Sequence, residues 1–252
     1  MIIIKSEFNF TNMKNVLLVF LIALGVKNIH AQDKVFVDDK NAQVRQVSGS
    51  FSAISVSSSI DLYLSQSNEE TVVVSAADEK YRDRIVTEVK NGELRIYLND
   101  RGFHWNSGNK KMKAYVSFRN INRLRASGAS DVYVNGVIKG NELNLNLSGS
   151  SDFKGAVDLD KLDMDQSGSS DSRISGRART ARIELSGASD VKAYELAVDI
   201  LDAHASGASD IQITVNKELN VDASGASDVY YRGEGMIRNI KSSGSSSVSR
   251  KS

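Results

Sequence analysis

Cysteine and proline are both absent from this chain of 252 residues. Without cysteine there can be neither a disulfide framework nor a lipid-modified cysteine, so a hydrophobic core and backbone hydrogen bonds must hold the fold. Each proline would remove one backbone donor from a sheet, and the absence of proline indicates a backbone largely committed to hydrogen bonds between strands. The composition therefore favours an all-β protein.

A strong charge of either sign is also missing. Residues 1–31 hold three lysines and one glutamate, and the rest of the chain has 29 basic against 30 acidic residues. A balance this close to neutral argues against nucleic acid as a partner and against attachment to membranes through a polybasic patch.

The N-terminus has the features of a secretory signal peptide. Met13, the better of two candidate starts, opens a short basic segment, and an apolar run follows over residues 16–24. Ala31 supplies a small residue at a cleavage point, which would make Gln32 the new N-terminus. The apolar run is short for a membrane span, and an uncleaved anchor is the alternative. We expect residues 1–31 to be removed and the mature chain to be exported without a membrane span.

A five-residue motif, Ser-Gly-Ala/Ser-Ser-Asp, occurs six times in the second half of the chain, and a seventh copy lacks only the final Asp. The steps between copies are 21, 19, 19, 20, 18 and 19 residues. A fixed period of this length is typical of repeat folds, in which one coil cannot bury its apolar face alone. The copies begin at Ser127, Ser148, Ser167, Ser186, Ser206, Ser224 and Ser243.

Polarity alternates around the motif in every copy. The third residue before it is always apolar, whereas the second and fourth residues before it are always polar. This pattern is typical of a strand with one buried face, and we predict a parallel β-helix (a β-solenoid), by analogy right-handed, with coils of about 19 residues. If the alternation continues through the motif, the Gly and the second Ser point inward and the Asp points outward. A corner with positive φ at the Gly would shift this phase by one residue.

Residues 35–120 are β in character but lack the motif. The segment 86–98 alternates on both sides of Asn91-Gly92, which predicts a hairpin with a type I′ turn. A turn or two of helix is expected within 77–84, and 57–61 resembles a degenerate copy of the motif. We expect 32–252 to form one domain, with capping coils and the hairpin over 35–120 and the regular repeats over 121–252.

The repeated motif, together with the segments 47–54 and 87–94, resembles the head GIN domain family, a group of proposed auto-transporter adhesins common in Bacteroidetes-type bacteria. The resemblance extends from about Val44 to the end, and the last copy departs from the pattern with Ser247 in place of Asp. It implies a β-helix that is exported to the periplasm, the outer-membrane surface or the extracellular space and that has a binding role. It supplies no catalytic residues.

The aspartates of the motif are the most distinctive candidate site, as a polar face. Carboxylates stacked about 5 Å apart repel one another unless they are solvated, hydrogen-bonded or bridged by cations. A cation ladder is one interpretation, but one Asp per coil supplies few of the roughly six to eight oxygens that calcium needs. We favour the alternative, in which each Asp accepts from backbone N–H groups at a corner, as in an Asx turn. The residues are Asp131, Asp152, Asp171, Asp190, Asp210 and Asp228.

A second candidate is the segment 101–111, which contains His104 and the only tryptophan, Trp105, between two predicted strands. Such a loop could contact a ligand, or Trp105 could fold back on the sheet. His204 occupies an outward polar column and is expected to be a surface residue.

Because the acids are periodic rather than gathered in one cleft, we expect a non-catalytic surface or envelope protein, without cofactor or metal, that binds glycans or other surface proteins. A polysaccharide-active β-helix lyase or hydrolase is the alternative.

Overall fold

The computed structural model describes Asp39 and residues 41–101 and 110–252. The predicted signal peptide and the loop residues His104 and Trp105 lie outside the described residues. Within the described ranges, sixteen strands join in one sheet and no helix is long and apolar enough to cross a membrane. The strands are β1 (Gln43–Arg45), β2 (Ala53–Val56), β3 (Ile60–Gln66), β4 (Thr71–Ser75), β5 (Ile85–Lys90), β6 (Glu93–Leu98), β7 (Met112–Phe118), β8 (Arg123–Ala126), β9 (Val132–Leu147), β10 (Phe153–Gln166), β11 (Asp171–Leu185), β12 (Asp190–Ala205), β13 (Asp210–Ala223), β14 (Asp228–Arg232), β15 (Met236–Ser242) and β16 (Ser247–Arg250), and a short helix, α1, spans Glu79–Arg82.

The second half of the chain is a stack of parallel coils. Strands β9 to β13 pair in chain order, β14 and β15 form the next coil against the first and second parts of β13, and β16 begins a further coil against β14. The pairing joins equivalent positions, so that Ile183 lies between Met164 and Ala203 of the neighbouring coils. The predicted β-solenoid is confirmed, with about seven turns roughly 19 residues apart. The hand of its winding stays a prediction.

The alternating apolar positions fill one continuous core. Phe153, Ile183 and Val191 are fully or almost fully buried, and a single cluster of packed side chains includes residues from Phe51 to Tyr231. Full burial of such a side chain stabilises the fold by about 1.5–3 kcal/mol. The stack is therefore stabilised by the same burial repeated in every coil.

One polar pair interrupts this core. Gln166 and Ser172 occupy inward positions that hold apolar side chains in the adjoining coils, and both are buried. The Ser172 hydroxyl donates to Gln166 Oε1, and Gln166 Nε2 donates to the carbonyl oxygen of Ser170 over 2.7 Å. The two substitutions compensate each other because each supplies the hydrogen-bond partner that the other needs.

The first half of the chain adds coils in an order that differs from the chain order. Strands β2 and β3 lie between the β6–β7 coil and the β8–β9 coil, although they precede both. Strands β4 and β5 then pair antiparallel with β7 and β6, and β1 pairs antiparallel with β4, so the N-terminal end of the stack finishes in antiparallel strands. The predicted hairpin is β5–β6, with Asn91 and Gly92 at φ values of 54° and 74°, and the predicted helix is the single turn α1.

Candidate functional site

The repeated motif forms the first corner of each coil. Its Gly has a positive φ in every copy, from 69° at Gly128 to 84° at Gly207, and its second Ser is completely buried in the six full copies. The Asp lies at least partly exposed on the outer surface. The predicted inward Ser and outward Asp are correct. The predicted inward Gly is wrong, because the chain turns at the Gly and leaves it exposed, but the alternation resumes in the same phase: Leu185 and Ser189, four residues apart on either side of Gly187, are both buried.

The glycines of successive first corners stack closely. A Cβ added to Gly187 would lie 2.5 Å from the carbonyl oxygen of Gly168. That oxygen accepts a hydrogen bond from the backbone N–H of Ala188 over 2.8 Å, and the same bond recurs at the neighbouring corners. Glycine is therefore required here both by the backbone conformation and by the approach of the next coil.

The buried serines form a ladder of hydrogen bonds between coils. Each hydroxyl oxygen accepts from the backbone N–H of the equivalent Ser in the preceding coil over 3.0–3.4 Å. Ser189 Oγ also donates to the carbonyl oxygen of Ser186 in its own corner. Ile60 N donates to Ser130 Oγ in the same way, over 3.1 Å, so the predicted degenerate copy continues the ladder.

The aspartates form a second ladder in the opposite direction. A carboxylate oxygen accepts from the backbone N–H of the equivalent residue in the following coil over 3.1–3.3 Å at five steps. At the last of these steps the donor is Ser247, which replaces the Asp of the final copy. These bonds satisfy corner N–H groups, as expected, but they join two coils and are not the predicted Asx turn within one coil. The arrangement supports a structural role for the Asp row.

Burial, neighbouring charges and local hydrogen-bond donors shift the pKa values of the aspartates in this row. Burial raises the pKa of Asp210, and the carboxylates of the two neighbouring coils raise it further. The pKa of Asp228 is lowered instead, because Ser247 and Tyr230 donate hydrogen bonds to its carboxylate. Across the described ranges, no group of three or more His, Asp or Glu residues is arranged to hold a metal ion.

A column of exposed and half-exposed side chains lies two residues after the Asp row. It begins with three tyrosines whose ring centroids are 5.0 and 5.1 Å apart, continues with three basic residues and ends with Gln and Tyr. Burial, with a contribution from the Asp131 charge, raises the pKa of Tyr133 to about 12, so this phenol is neutral at physiological pH. In order along the stack the residues are Tyr115, Tyr63, Tyr133, Lys154, Arg173, Lys192, Gln212 and Tyr230.

The second corner of the coils, which follows this column, forms a groove of about 630 Å³. The β9 and β12 repeats have 21 and 20 residues, whereas the β10 and β11 repeats between them have 19. The register shifts at this corner, between Lys154 and Ala156 and between Arg173 and Gly176, which locates the additional residues there. The longer coils therefore form two walls, and β10 and β11 form the floor.

Small residues keep the floor of the groove low. Gly155, Ala156 and Ser175 line it, and a Cβ on Gly155 would lie 2.7 Å from Val134 Cβ. Any larger residue at 155 would therefore push against the β9 wall.

Two tyrosines flank the groove, each with one ring face already covered. Tyr133 stacks on Tyr63, which belongs to the coil on the side away from the groove. Tyr194 in the β12 wall lies under the guanidinium of Arg232, whose carbon is 4.1 Å from the ring centroid. Both tyrosines line the groove with their remaining surface.

The charges that line the groove are three cations and one carboxylate, Glu195. Lys154 and Arg173 are exposed, and neither side chain makes a hydrogen bond or ion pair within the described part of the chain. Lys192 Nζ lies 3.7 Å from a carboxylate oxygen of Asp190. The sequence did not predict this site, whose signal is the unequal length of the repeats.

These observations define a parallel β-solenoid whose repeated corner is structural and whose second corner carries an open groove. The chain belongs to the family described as "Putative auto-transporter adhesin, head GIN domain", whose model matches residues 50–235. The predicted resemblance is therefore confirmed.

Solved structures of bacterial proteins share this fold. A "putative adhesin" from Bacteroides fragilis is 19% identical, with a TM-score of 0.74 over 83% of this chain and 96% of that one. A "putative lipid binding protein" from Parabacteroides distasonis is 21% identical, with a TM-score of 0.65 over 84% and 97%. A "putative adhesin" from Parabacteroides merdae is 18% identical, with a TM-score of 0.66 over 84% and 97%. No curated protein matches the sequence.

Proposed function

We propose that this protein is an exported, non-catalytic binding protein of the cell envelope or surface, which attaches to glycans or other surface proteins through the outside of its solenoid. The observation that carries this proposal is the contrast in how side chains are used. Residues of the motif hydrogen-bond or pack against the next coil, whereas Lys154 and Arg173 in the groove are exposed and have no partner in the described ranges. Side chains that stacking does not need are free to contact a ligand.

The family and the N-terminal sequence support this proposal. The description of the family contains the word "adhesin", and two of the similar structures are named "putative adhesin". The apolar run at 16–24 and the cleavage point after Ala31 favour export to the periplasm, the outer-membrane surface or the extracellular space.

A polysaccharide lyase or hydrolase remains the second candidate, because a basic side chain in a groove can also abstract a proton. Hydrolysis of a glycosidic bond ordinarily uses two carboxyl groups on either side of the bond, and the groove is lined by one, Glu195. His204 pairs with Asp202 over 3.4 Å but does not line the groove. This arrangement favours binding over cleavage.

The test follows binding and product formation together. The exported protein would be applied to immobilised glycans and to surface-protein extracts, and the glycan samples would then be assayed for new reducing ends and for unsaturated sugars. We expect saturable retention of the native protein, loss of retention after heat unfolding, and no product. Product formation, or no retention on any surface, would contradict the proposal.

A further inference from the structure

We infer that the groove between β9 and β12 binds a glycan chain that carries spaced carboxylates, with the carboxylates held by Lys154 and Arg173 and the sugar rings placed against Tyr133 and Tyr194. The inference rests on the proposed function and names the ligand class for it. It follows from the shape of the groove, the free charges in it and the acids beside it.

The shape suits a short stretch of a sugar chain. A volume of about 630 Å³ lies within the range of roughly 300–1,000 Å³ that is common for small-ligand sites. The floor spans two coils, each about 4.8 Å wide, and its small side chains leave room for a ring to lie flat. Aromatic walls at both sides offer apolar ring faces to the C–H faces of sugars, and Gln212 adds a polar amide to the lining.

The positive charges in the groove favour a ligand that carries a carboxylate. Lys154 and Arg173 occupy equivalent positions in adjacent coils, so their backbones are about 4.8 Å apart. The guanidinium of an arginine can bind a carboxylate through two parallel hydrogen bonds. Because neither side chain has a partner in the described part of the chain, a ligand carboxylate would not have to break an existing ion pair.

The neighbouring acids disfavour ligands of high charge density. Asp152, just before β10, and Asp171, the first residue of β11, lie two residues before Lys154 and Arg173, at a distance of about 7 Å along the backbone. Glu195 lines the opposite side of the groove. A heavily sulfated glycan or a nucleic acid would place negative charge against these acids, whereas a chain of uncharged sugar surface with separated carboxylates would not. We therefore choose a carboxylated glycan as the ligand class.

The test compares defined oligosaccharides by titration calorimetry with the exported protein. The acidic probes are hexasaccharides of hyaluronan and of polygalacturonate, the neutral probe is a chitin hexasaccharide, and the dense polyanions are a heparin hexasaccharide and a short single-stranded DNA. We expect at least one acidic probe to bind about tenfold or more tightly than the neutral probe, no dense polyanion to bind more tightly than the acidic probes, and the affinity to fall as salt is added.

Two arginines of one strand provide the matched variants. Arg173→Gln should weaken binding of the acidic probe about tenfold or more, whereas Arg179→Gln should leave it unchanged. Arg179 is also exposed on β11 and has no partner in the described ranges, but it does not line the groove. Both variants should melt at the wild-type temperature, since neither side chain supports the fold. Lys154→Gln provides a second, independent loss of a groove cation.

Several outcomes would overturn the inference. These are no binding of either acidic probe, equal binding of the neutral probe, tighter binding of heparin or DNA, or equal effects of Arg173→Gln and Arg179→Gln. If the protein still binds other glycans or surface proteins in the broader assay, the ligand class is wrong and the proposed function stands. If acidic probes bind through Arg173 but are cleaved, the non-catalytic function is wrong and the ligand class stands.

Discussion

The two corners of each coil are built on different principles. At the first corner the motif supplies a Gly with positive φ, a buried Ser and an Asp, and each of these makes the same contact with the next coil in copy after copy. At the second corner the coils differ in length and in side chains, and the longer coils of β9 and β12 leave a groove over β10 and β11. The first corner is uniform because stacking makes the same demand on every coil.

The contrast between the two corners shows which residues hold the coils together and which are available to bind a ligand. A motif that recurs in every coil reports what the stack needs, and the contacts of Ser189 and Asp171 are between coils rather than toward a ligand. Departures from the repeat are where a single site can form, as Tyr194 and Glu195 do in the wall of β12. The Asp row, although the most conspicuous feature of the sequence, belongs to the first category.

The largest expected effect comes from removing a glycine at the first corner. Gly187→Ala and Gly136→Ala both place a Cβ at a similar positive φ, 82° and 84°, which costs roughly 1–2 kcal/mol in either case. Only the Gly187 variant meets another coil, at the carbonyl oxygen of Gly168, whereas nothing lies within 4 Å of the new atom at 136. We expect urea unfolding to show a loss of about 3–5 kcal/mol for Gly187→Ala and about 1–2 kcal/mol for Gly136→Ala. Equal losses would show that the approach of the coils contributes nothing.

The next effect concerns the buried serines. Ser189→Ala would remove the acceptor of the Ser170 N–H inside the stack, and a buried donor without a partner costs about 1–3 kcal/mol. Ser186→Ala changes a hydroxyl at the exposed start of the same corner, whose contact with the Gln166 carbonyl is 3.5 Å long, and should stay within about 0.5 kcal/mol. The same unfolding measurement compares the two. A larger loss for Ser186→Ala would contradict the assigned ladder.

The regular coils were largely predictable from the sequence. The backbone conformation at the corners and the order of the N-terminal strands in the stack were not, because the alternation of polar and apolar residues does not report them. The period of the motif and the apolar column three residues before it placed Ile183 in the core correctly. The exposed turn at Gly128 was one of two alternatives at the level of sequence, because a positive φ leaves no trace in the alternation of polarity. The insertion of β2 and β3 between later coils depends on pairings far apart in the chain, for which local sequence carries no signal.

For the candidate site, the favoured interpretation of the Asp row, in which each Asp accepts from backbone N–H groups, had the right donor type but the wrong partner, since the donor to each carboxylate lies in another coil. The groove was signalled by the longer β9 and β12 repeats, but only the register of the strands shows that both insertions fall at the same corner. The loop with His104 and Trp105 stays a prediction.

A smaller effect should appear in the pH dependence of the stability of the fold, through the aspartates of the Asp row. The pKa of Asp228 is lowered by hydrogen bonds from Ser247 and Tyr230, so its carboxylate stabilises the fold above the ordinary value of about 4, and this contribution is lost as the pH falls through the folded-state pKa. Burial and neighbouring carboxylates raise the pKa of Asp210, so ionised Asp210 disfavours the fold as the pH rises through its folded-state pKa.

The two aspartates can be compared by melting their asparagine variants. At pH about 7, Asp228→Asn should melt below the wild type, and Asp210→Asn should melt at or above it. Each difference should shrink as the pH falls through the folded-state pKa of that aspartate, at a lower pH for Asp228 than for Asp210, because the wild-type carboxylate then becomes protonated. A greater loss for Asp210→Asn at neutral pH would contradict the assigned directions.

The smallest expected effect is that of calcium on the first corner. The Asp171 carboxylate already accepts the Asp190 N–H over 3.3 Å, and one carboxylate per coil falls short of the roughly six to eight oxygens that calcium prefers. Melting temperatures in millimolar calcium and in chelator should therefore agree within error, and Asp171→Asn, which keeps an oxygen for the same bond, should not change that agreement. A cation ladder would instead raise the melting temperature with calcium, because a ligand that binds only the folded state stabilises it by mass action. A calcium-dependent rise that disappears in Asp171→Asn would show that the Asp row binds calcium. The first corner would then have a ligand of its own, and the contrast between a structural first corner and a ligand-binding second corner would be wrong.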